Sequence, residues 1–489
     1  IAQRTPRRRL ELRAQHFAKG KERNNAMGAG LRKLYAADEM LRPDQRQGEL
    51  PSTRELYRDA GEIALPAVID TVLVAMVSMM DTMMVSSLGA AAIAAVGITN
   101  QPKMIILATF MALNVGVTAV VARRRGQEDR EGANKVLGQS LSLCAILSVI
   151  LSVLGAVYAR PLLLFAGAQA DMIEAATVYF QILMIGIPCS AITLCINGAQ
   201  RGCGNTRISM KINLTANAVN IVFNYLLIGG NLGFPRLEVA GAAIATVFGN
   251  VVGLLMAFYS LRGSHEHFLR IELHNLLRID RRTVAPVVSV GLSAGVEQVF
   301  MRIGFFLYIK IIASLGTTEM ATHNICQSVL NLAFSFCDGL GVAAASLSGQ
   351  SLGRKRSDLA ILYGKACQRI SLVISAILAS TFIFFGRYII MAFSTEEVIV
   401  HLGTQVLMII AVTTPFQAAQ CIFASCLRGG GDTRYTAMVA MISIGIFRPL
   451  IAWLLCYPAG GGLVGAWCSY FIDQFVRFSL VGIRFAKGR

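Results

Sequence analysis

LPAVIDTVLVAMVSMMDTMMVSSLG, residues 65–89, is an almost unbroken apolar run of about 25 residues. Wound as a helix rising about 1.5 Å per residue, it crosses a bilayer core of roughly 30 Å. Two carboxylates, Asp70 and Asp81, interrupt it, and no Lys or Arg lies within the run. Their spacing is about three helical turns, which puts both on one stripe roughly 16 Å apart along the axis. An acid inside a membrane span without a partner is costly and marks a functional site by default. Each acid also has a structural reading, as a cap for a neighbouring helix or a bond to a Ser or Thr across an interface.

The rest of the chain is of the same kind. Of 489 residues, 55% are hydrophobic and only 15% charged, with mean hydropathy +0.58. This is the composition of a polytopic membrane protein. The net charge of +17 raises nucleic acid as a partner, but the placement of the bases excludes it. Lys103, Arg160, Arg236 and Arg387 fall in or beside one set of loops, and Arg302, Lys310 and Arg448 fall inside apolar spans. The others gather at the two tails and the alternate loops, an asymmetry that places both termini in the cytoplasm. Eleven cysteines are scattered singly through apolar segments and read as small core residues. His265, His267 and His274 lie close together in a basic loop, but no Cys or acid cluster completes a metal site.

Residues 1–60 are rich in Arg, Gln and Glu, lack a signal-peptide core, and read as a mobile cytoplasmic tail that touches anionic lipid. The opening Ile1 suggests a non-standard start or a trimmed chain. RELYRDAGEI, residues 54–63, is a short amphipathic lead into the first span. Twelve apolar spans follow, near 64–88, 99–122, 136–158, 175–199, 208–229, 239–261, 284–312, 320–349, 361–386, 399–426, 435–457 and 462–483.

An internal repeat organises these spans. A shift of 227 lays SLGAAAIAAVGI (from Ser87) on SLGTTEMATHNI (from Ser314), and Gly126, Ala133 and Pro188 on Gly353, Ala360 and Pro415. It also lays RGCGNTR (201–207) on RGGGDTR (428–434). Six spans per half is an even number, so the halves share one orientation, a parallel repeat about an axis along the membrane normal. The expected fold is an all-α membrane protein of twelve transmembrane helices in two six-helix bundles. The N-lobe takes residues 61–262, a cytoplasmic inter-lobe loop 263–283, and the C-lobe with a short tail 284–489. The RGxGxTR loops lack the preceding strand and the GK[ST] ending of a phosphate loop. They read instead as helix ends: glycine stops one helix, Asn205 or Asp432 caps the next, and the arginines anchor at headgroups. Pro188 and Pro415 are expected to kink spans 4 and 10.

A scaffold explains what the halves share, so chemistry is sought where they differ. Asp81 is matched by Tyr308, and Asp70 by Glu297. Span 5 carries Asn213, Asn217, Asn220 and Asn224 on one helical stripe, where span 11 has Ala440, Ile444, Phe447 and Ile451. Four amides cannot face lipid, so they line a wet cavity or bond helix to helix. The C-terminal spans hold Glu297, Asp338 and Asp473 against Arg302, Lys310 and Arg448, which can pair. The N-terminal spans hold Asp70 and Asp81 and no base. Desolvation disfavours the charged form of a lone carboxylate, which suits a proton-coupled carrier. Met76, Met79, Met80, Met83 and Met84 on span 1 are core filling, or an adaptable wall for apolar ligands.

At this point the chain resembles the multidrug and toxic compound extrusion (MATE) transporters, prokaryotic type, over about residues 54–484. The resemblance rests on Leu65, Pro66, Asp81, Thr82, Leu88 and Gly89 of span 1, both RGxGxTR loops, SLSGQSLGR (346–354) and VAGAAIAT (239–246). It implies a non-enzymatic secondary antiporter that expels organic cations and drugs against a proton or sodium gradient. Asp81 and Asp70 are the coupling candidates; Asn217, Asn220, Asn224, Thr246, Met80 and Met84 are the substrate or cavity candidates. Glu297, Tyr308 and Arg448 are the C-lobe candidates. Asn224 stands where prokaryotic members often have Asp, and Met301 where some carry a second acid in span 7, so protons are favoured over sodium. No cofactor or resident metal is expected, only H+ or Na+ as coupling ion. The chain is placed in the cell inner (plasma) membrane, as a monomer among lipids with a small-molecule substrate. The alternative function is a flippase for lipid-linked oligosaccharides, which calls for a basic cleft; an intramembrane enzyme or a channel lacks its motifs.

Overall fold

The computed structural model describes residues 35–41, 43–86, 90–166, 168, 172–262, 268–271 and 280–487. The first 34 residues, the end of span 1 from Ser87 to Gly89, and His265, His267 and His274 lie outside them. So do the side chains of Thr82 and Met83.

The described residues hold twelve long helices: α1 (Thr53–Ser86), α2 (Ala90–Gly126), α3 (Arg130–Val157), α4 (Ile173–Gly202), α5 (Thr206–Gly229), α6 (Glu238–Leu261), α7 (Arg281–Ala313), α8 (Thr317–Gly353), α9 (Ser357–Met391), α10 (Glu397–Gly429), α11 (Thr433–Cys456) and α12 (Gly462–Ala486). The first eleven are long and apolar enough to cross a membrane. At 25 residues α12 is long enough as well, but it carries Asp473, Arg477 and Arg484. The chain is therefore a multi-pass membrane protein.

Local chemistry fixes the helix ends. Ser52 and Glu55 form a reciprocal capping box at the start of α1: Glu55 N donates to Ser52 Oγ at 3.3 Å, and Ser52 N to Glu55 Oε2 at 3.0 Å. Asp129 caps α3 through Gly132 N at 2.8 Å. The two RGxGxTR loops end their helices identically. Gly204 (φ +86°) and Gly431 (φ +89°) adopt the left-handed turn. The next amides, Asn205 N and Asp432 N, donate back to Gln200 O at 2.8 Å and Leu427 O at 2.9 Å. The expected caps are absent: Asn205 and Asp432 make no side-chain bond to α5 or α11. Asp432 instead accepts from Arg484 Nε at 2.9 Å. Helix continues through both Pro188 and Pro415.

The N-half core packs around Phe180, Met184, Ile196 and Leu137, and the C-half core around Trp467, Ile312, Leu407 and Ile410. Between the halves α1 lies against α8, and α7 against α2. The first helix of each half thus meets the second helix of the other, as a two-fold relation requires. Gly126 and Gly353 show the axis directly. A Cβ on either would sit 2.9 Å from the other's Cα, so neither place has room for a side chain. Bonds joining the halves gather toward that end: Gln350 Nε2 and Ser346 Oγ donate to Gly202 O at 3.0 and 3.2 Å, and Thr71 Oγ1 donates to Ser335 O at 2.7 Å. The end bearing the basic loops is closed.

Two corrections to the sequence reading follow. The tail is packed where it is described: Ala37, Met40 and Leu41 bury against Leu56, Leu362 and Ala366. Lys365 Nζ donates to Met40 O at 2.6 Å, and Arg356 Nη2 to Glu49 O at 2.9 Å. Enough apolar side chains are spaced along 37–41 to offset the ordering of a short segment. The second correction concerns the repeat. Residues Met441–Phe447 of α11 form a π-helical segment, whose wider turn accommodates one extra residue. A Cβ at Gly241 would lie 2.6 Å from Leu227 O, as one at Gly465 would lie 2.6 Å from Leu455 O. The offset is therefore 228 after the π segment and 224 in the last helix. Asn220 and Asn224 accordingly correspond to Arg448 and Ala452 rather than Phe447 and Ile451.

Candidate functional site

On α1 the two acids have separate surroundings. Asp81 is half-buried, and Asn224 Nδ2 donates to its Oδ1 at 2.7 Å. The Asn220 amide fits with its nitrogen toward the acid, 2.9 Å from Asp81 Oδ1, and its oxygen 3.2 Å from Thr246 N. Thr246 Oγ1 closes the group by donating to Ala242 O at 3.0 Å. These residues come from α1, α5 and α6, brought together because the amide stripe of α5 faces protein. The Lys103 ammonium of α2 and the Tyr179 phenol of α4 are within electrostatic reach of Asp81. The expectation that the N-terminal spans hold no base is corrected here. Lys103 marks no helix end, since α2 begins a dozen or so residues earlier at Ala90.

Asp70 is not an unpartnered acid. Only 4% exposed, it accepts from Arg201 Nη2 at 2.8 Å and from Asn213 Nδ2 at 2.9 and 3.0 Å. Glu297 is held likewise by Arg428 Nη1 at 3.2 Å. Both acids and both arginines are related by the shift of 227. The loop arginines thus turn inward to a buried carboxylate of their own half, where the sequence suggested headgroup anchoring. An arginine at a helix end has the reach to do either, and a carboxylate in a dry span outcompetes a hydrated phosphate.

The amide stripe is divided: Asn213 serves Asp70, Asn220 and Asn224 serve Asp81, and half-buried Asn217 joins neither group. Met80 is 44% exposed beside exposed Met76 and Met79, a surface of adaptable thioethers. Met84, expected on the same wall, packs into the N-half core instead.

The C-half candidates are interior. Tyr308 donates from its hydroxyl to Ala466 O at 3.0 Å and meets His323 edge-on, with centroids 5.9 Å apart; Trp467 lies on the other side of His323. Arg448, 1% exposed, and Asp473, 0% exposed, form a buried pair that also takes Arg477 Nη2 at 3.3 Å and the Ser443 hydroxyl. The Arg448 guanidinium lies over Tyr470 at 4.9 Å and Phe305 at 5.2 Å. Arg302 and Lys310, which could have paired with acids here, are exposed on α7; the missing cation was Arg477 of α12.

The sequence reading passed over one polar face. On α8, Asn324, Gln327, Asn331, Ser335 and Asp338 recur at helical spacing, with Gln327 Nε2 donating to Asn331 Oδ1 at 3.0 Å. Asn324, Asn331 and Asp338 are exposed. Such a face cannot front hydrocarbon, so it turns toward protein or a wet space. The period-3/4 signal was present in residues 324–338, just as in span 5.

The family model described as MatE matches this chain twice, over residues 66–226 and 294–454. A probable multidrug resistance protein NorM of Thermotoga maritima is 25% identical over 437 residues, 89% of this chain and 93% of the relative. Another probable NorM, from Xanthomonas axonopodis pv. citri, is 28% identical over 446 residues, 89% of this chain and 95% of the relative. Among solved structures, a MATE family multidrug resistance transporter in an outward-facing conformation superposes with TM-score 0.82 at 23% identity, covering 88% of this chain and 96% of that one. A MATE protein in a straight conformation gives TM-score 0.83 at 23% identity, over 88% and 97%. At that identity the likeness concerns the fold.

Proposed function

This chain belongs to the MATE family of membrane transporters, and we propose that it exports small organic cations across the plasma membrane in exchange for protons, with both termini in the cytoplasm. The observation that carries this reading is the set of atoms around Asp81. Asn224 turns its nitrogen toward the carboxylate, and the hydrogen-bond pattern around Asn220 favours the same orientation for its amide. Coordinating a sodium ion calls for several oxygens aimed at one point; here the amides offer donors, and Lys103 adds a like charge. A proton needs no such shell, because it simply neutralises the acid. Multidrug resistance relatives support the substrate class.

The exchange follows from competition. With Asp81 charged, the cleft attracts an organic cation; a proton arriving from the side opposite the basic loops removes that attraction and favours closure and release, a population shift set by differential affinity. Inverted vesicles test it through their uptake of a panel of fluorescent cations supplied outside. Transport should follow an imposed proton gradient and ignore an imposed sodium gradient. Transport driven by sodium alone would overturn the proton assignment.

A further inference from the structure

At the basic-loop end the two halves finish their last helix pair differently. In the C-half the junction of α11 and α12 is filled by the chain itself. Tyr435 donates from its hydroxyl to Leu480 O at 3.1 Å. The Arg484 guanidinium lies 5.0 Å over the Tyr435 ring, and its Nε donates to Asp432 at 2.9 Å. The offsets of 227 and 224 carry Tyr435, Arg484 and Asp432 onto Ile208, Ser260 and Asn205 in the N-half. None of these rebuilds the plug. Ser260 Oγ donates to Ala257 O at 2.7 Å on its own helix, and Asn205 Nδ2 turns back to Gln200 Oε1 at 3.2 Å. A groove of about 410 Å³ is left between the start of α5 and the end of α6, within the roughly 300–1,000 Å³ of small-molecule sites. Ile208, Ile212 and Met256 give it an apolar wall; the exposed Lys211, Tyr259 and Arg262 complete it. Where the N-half places Lys211 and Arg262, the C-half has Met438 and Ala486.

The groove opens away from the interior. Lys211 heads the exposed stripe Leu214, Ala218, Val222 and Tyr225 of α5, on the face opposite Asn213 and Asn220. On α6, exposed Leu255 and Tyr259 lead to Arg262 in the same way. An ammonium more than one turn inside a membrane helix calls for an anion, and none of the described residues lining the groove is acidic. We propose that this groove binds one anionic phospholipid. Its phosphate lies between Lys211 and Arg262, with Tyr259 at headgroup level and an acyl chain along Ile208, Ile212 and Met256. A zwitterionic lipid offers the same phosphate but brings an ammonium of its own beside two cations, so the anionic lipid is preferred. The site holds whatever the protein carries, because it faces the bilayer and not the Asp81 group.

Native mass spectrometry of the full chain tests this, with dioleoyl phosphatidylglycerol or the matching phosphatidylcholine added to the detergent micelles. The parent should retain one phosphatidylglycerol at least about tenfold more tightly than phosphatidylcholine. Lys211→Gln and Arg262→Gln should each weaken phosphatidylglycerol about fivefold and leave phosphatidylcholine unchanged. Arg434→Gln, at an exposed loop arginine of the C-half, should alter neither. Ile208→Tyr combined with Ser260→Arg and Asn205→Asp rebuilds the plug of the other half. That variant should lose the tightly held lipid although Lys211 and Arg262 remain, which separates a shaped site from loose attraction to a basic surface. Inorganic phosphate lacks the chain that fills the groove and should not displace the lipid. Equal retention of the two lipids by the parent, or unchanged affinity in Lys211→Gln, overturns the proposal. Displacement by inorganic phosphate overturns the lipid assignment. If the triple variant does not fold, Lys211→Gln and Arg262→Gln decide alone.

Discussion

Asp81 in the N-half and Asp473 in the C-half are both carboxylates inside membrane helices, and they have opposite company. Asp81 is half-buried among neutral amides and a threonine, with one ammonium at a distance. Asp473 is fully buried and clamped by Arg448, Arg477 and Ser443. Neutral donors satisfy the oxygens of an acid without supplying a counter-charge. Guanidiniums fix the charge, because neutralising the acid would strand two buried cations. A duplicated scaffold has thus been given one acid among neutral donors and one locked into ion pairs.

The sharpest way to break this contrast is to neutralise each acid in turn. Asp473→Asn should cost about 3–5 kcal/mol, the penalty for leaving a buried ion pair uncompensated, and should abolish expression of folded protein measured by size-exclusion fluorescence. Asp81→Asn should fold normally yet lose roughly two orders of magnitude in gradient-driven efflux, a difference of about 2.8 kcal/mol in transition-state terms. Full transport by Asp81→Asn would remove the N-half acid from the mechanism.

The paired arginines sharpen the comparison. Arg428→Ala should lower stability by about 1–3 kcal/mol, discounted because the guanidinium is partly wet. Arg201→Ala should cost less, since Asn213 still bonds both oxygens of Asp70, whereas Glu297 Oε2 is buried without a partner. Thermal melts that ranked them the other way would contradict this account. Gly241→Ala and Gly465→Ala should cost equally, about 1–3 kcal/mol each, because the added methyl would crowd a leucine carbonyl to the same extent in each. The smallest effect belongs to Asn217→Ala, which should change both melting and efflux by no more than about 0.5 kcal/mol.

Spacing made the architecture legible. Apolar runs long enough to span a bilayer, basic loops in alternation and a constant offset were all visible in residues 64–483, because length, charge and periodicity are local properties. Asp81 and its α5 amides were legible for a related reason, since polar groups in a dry span must meet protein. What escaped depended on reach between distant elements. Arg201 is separated from Asp70 by two intervening long helices in the chain, and only folding shows that its side chain turns inward. Lys103 looked like a helix boundary because a charge in apolar sequence usually is one. The α8 face was hidden by small residues around it, and the π segment by the assumption that one offset serves a whole repeat.

That π segment also says something about how the two halves can diverge. A side chain can be exchanged and exchanged back by single substitutions. An added residue in Met441–Phe447 works differently: the wider π turn takes it up, so the helix beyond keeps its facing, as the matched close approaches at Gly241 and Gly465 show, while every residue after it moves on by one place. Arg448, the partner of Asp473, thereby stands where Asn220 stands in the other half. One insertion exchanges a whole row of side chains at once, where substitutions would change them one at a time.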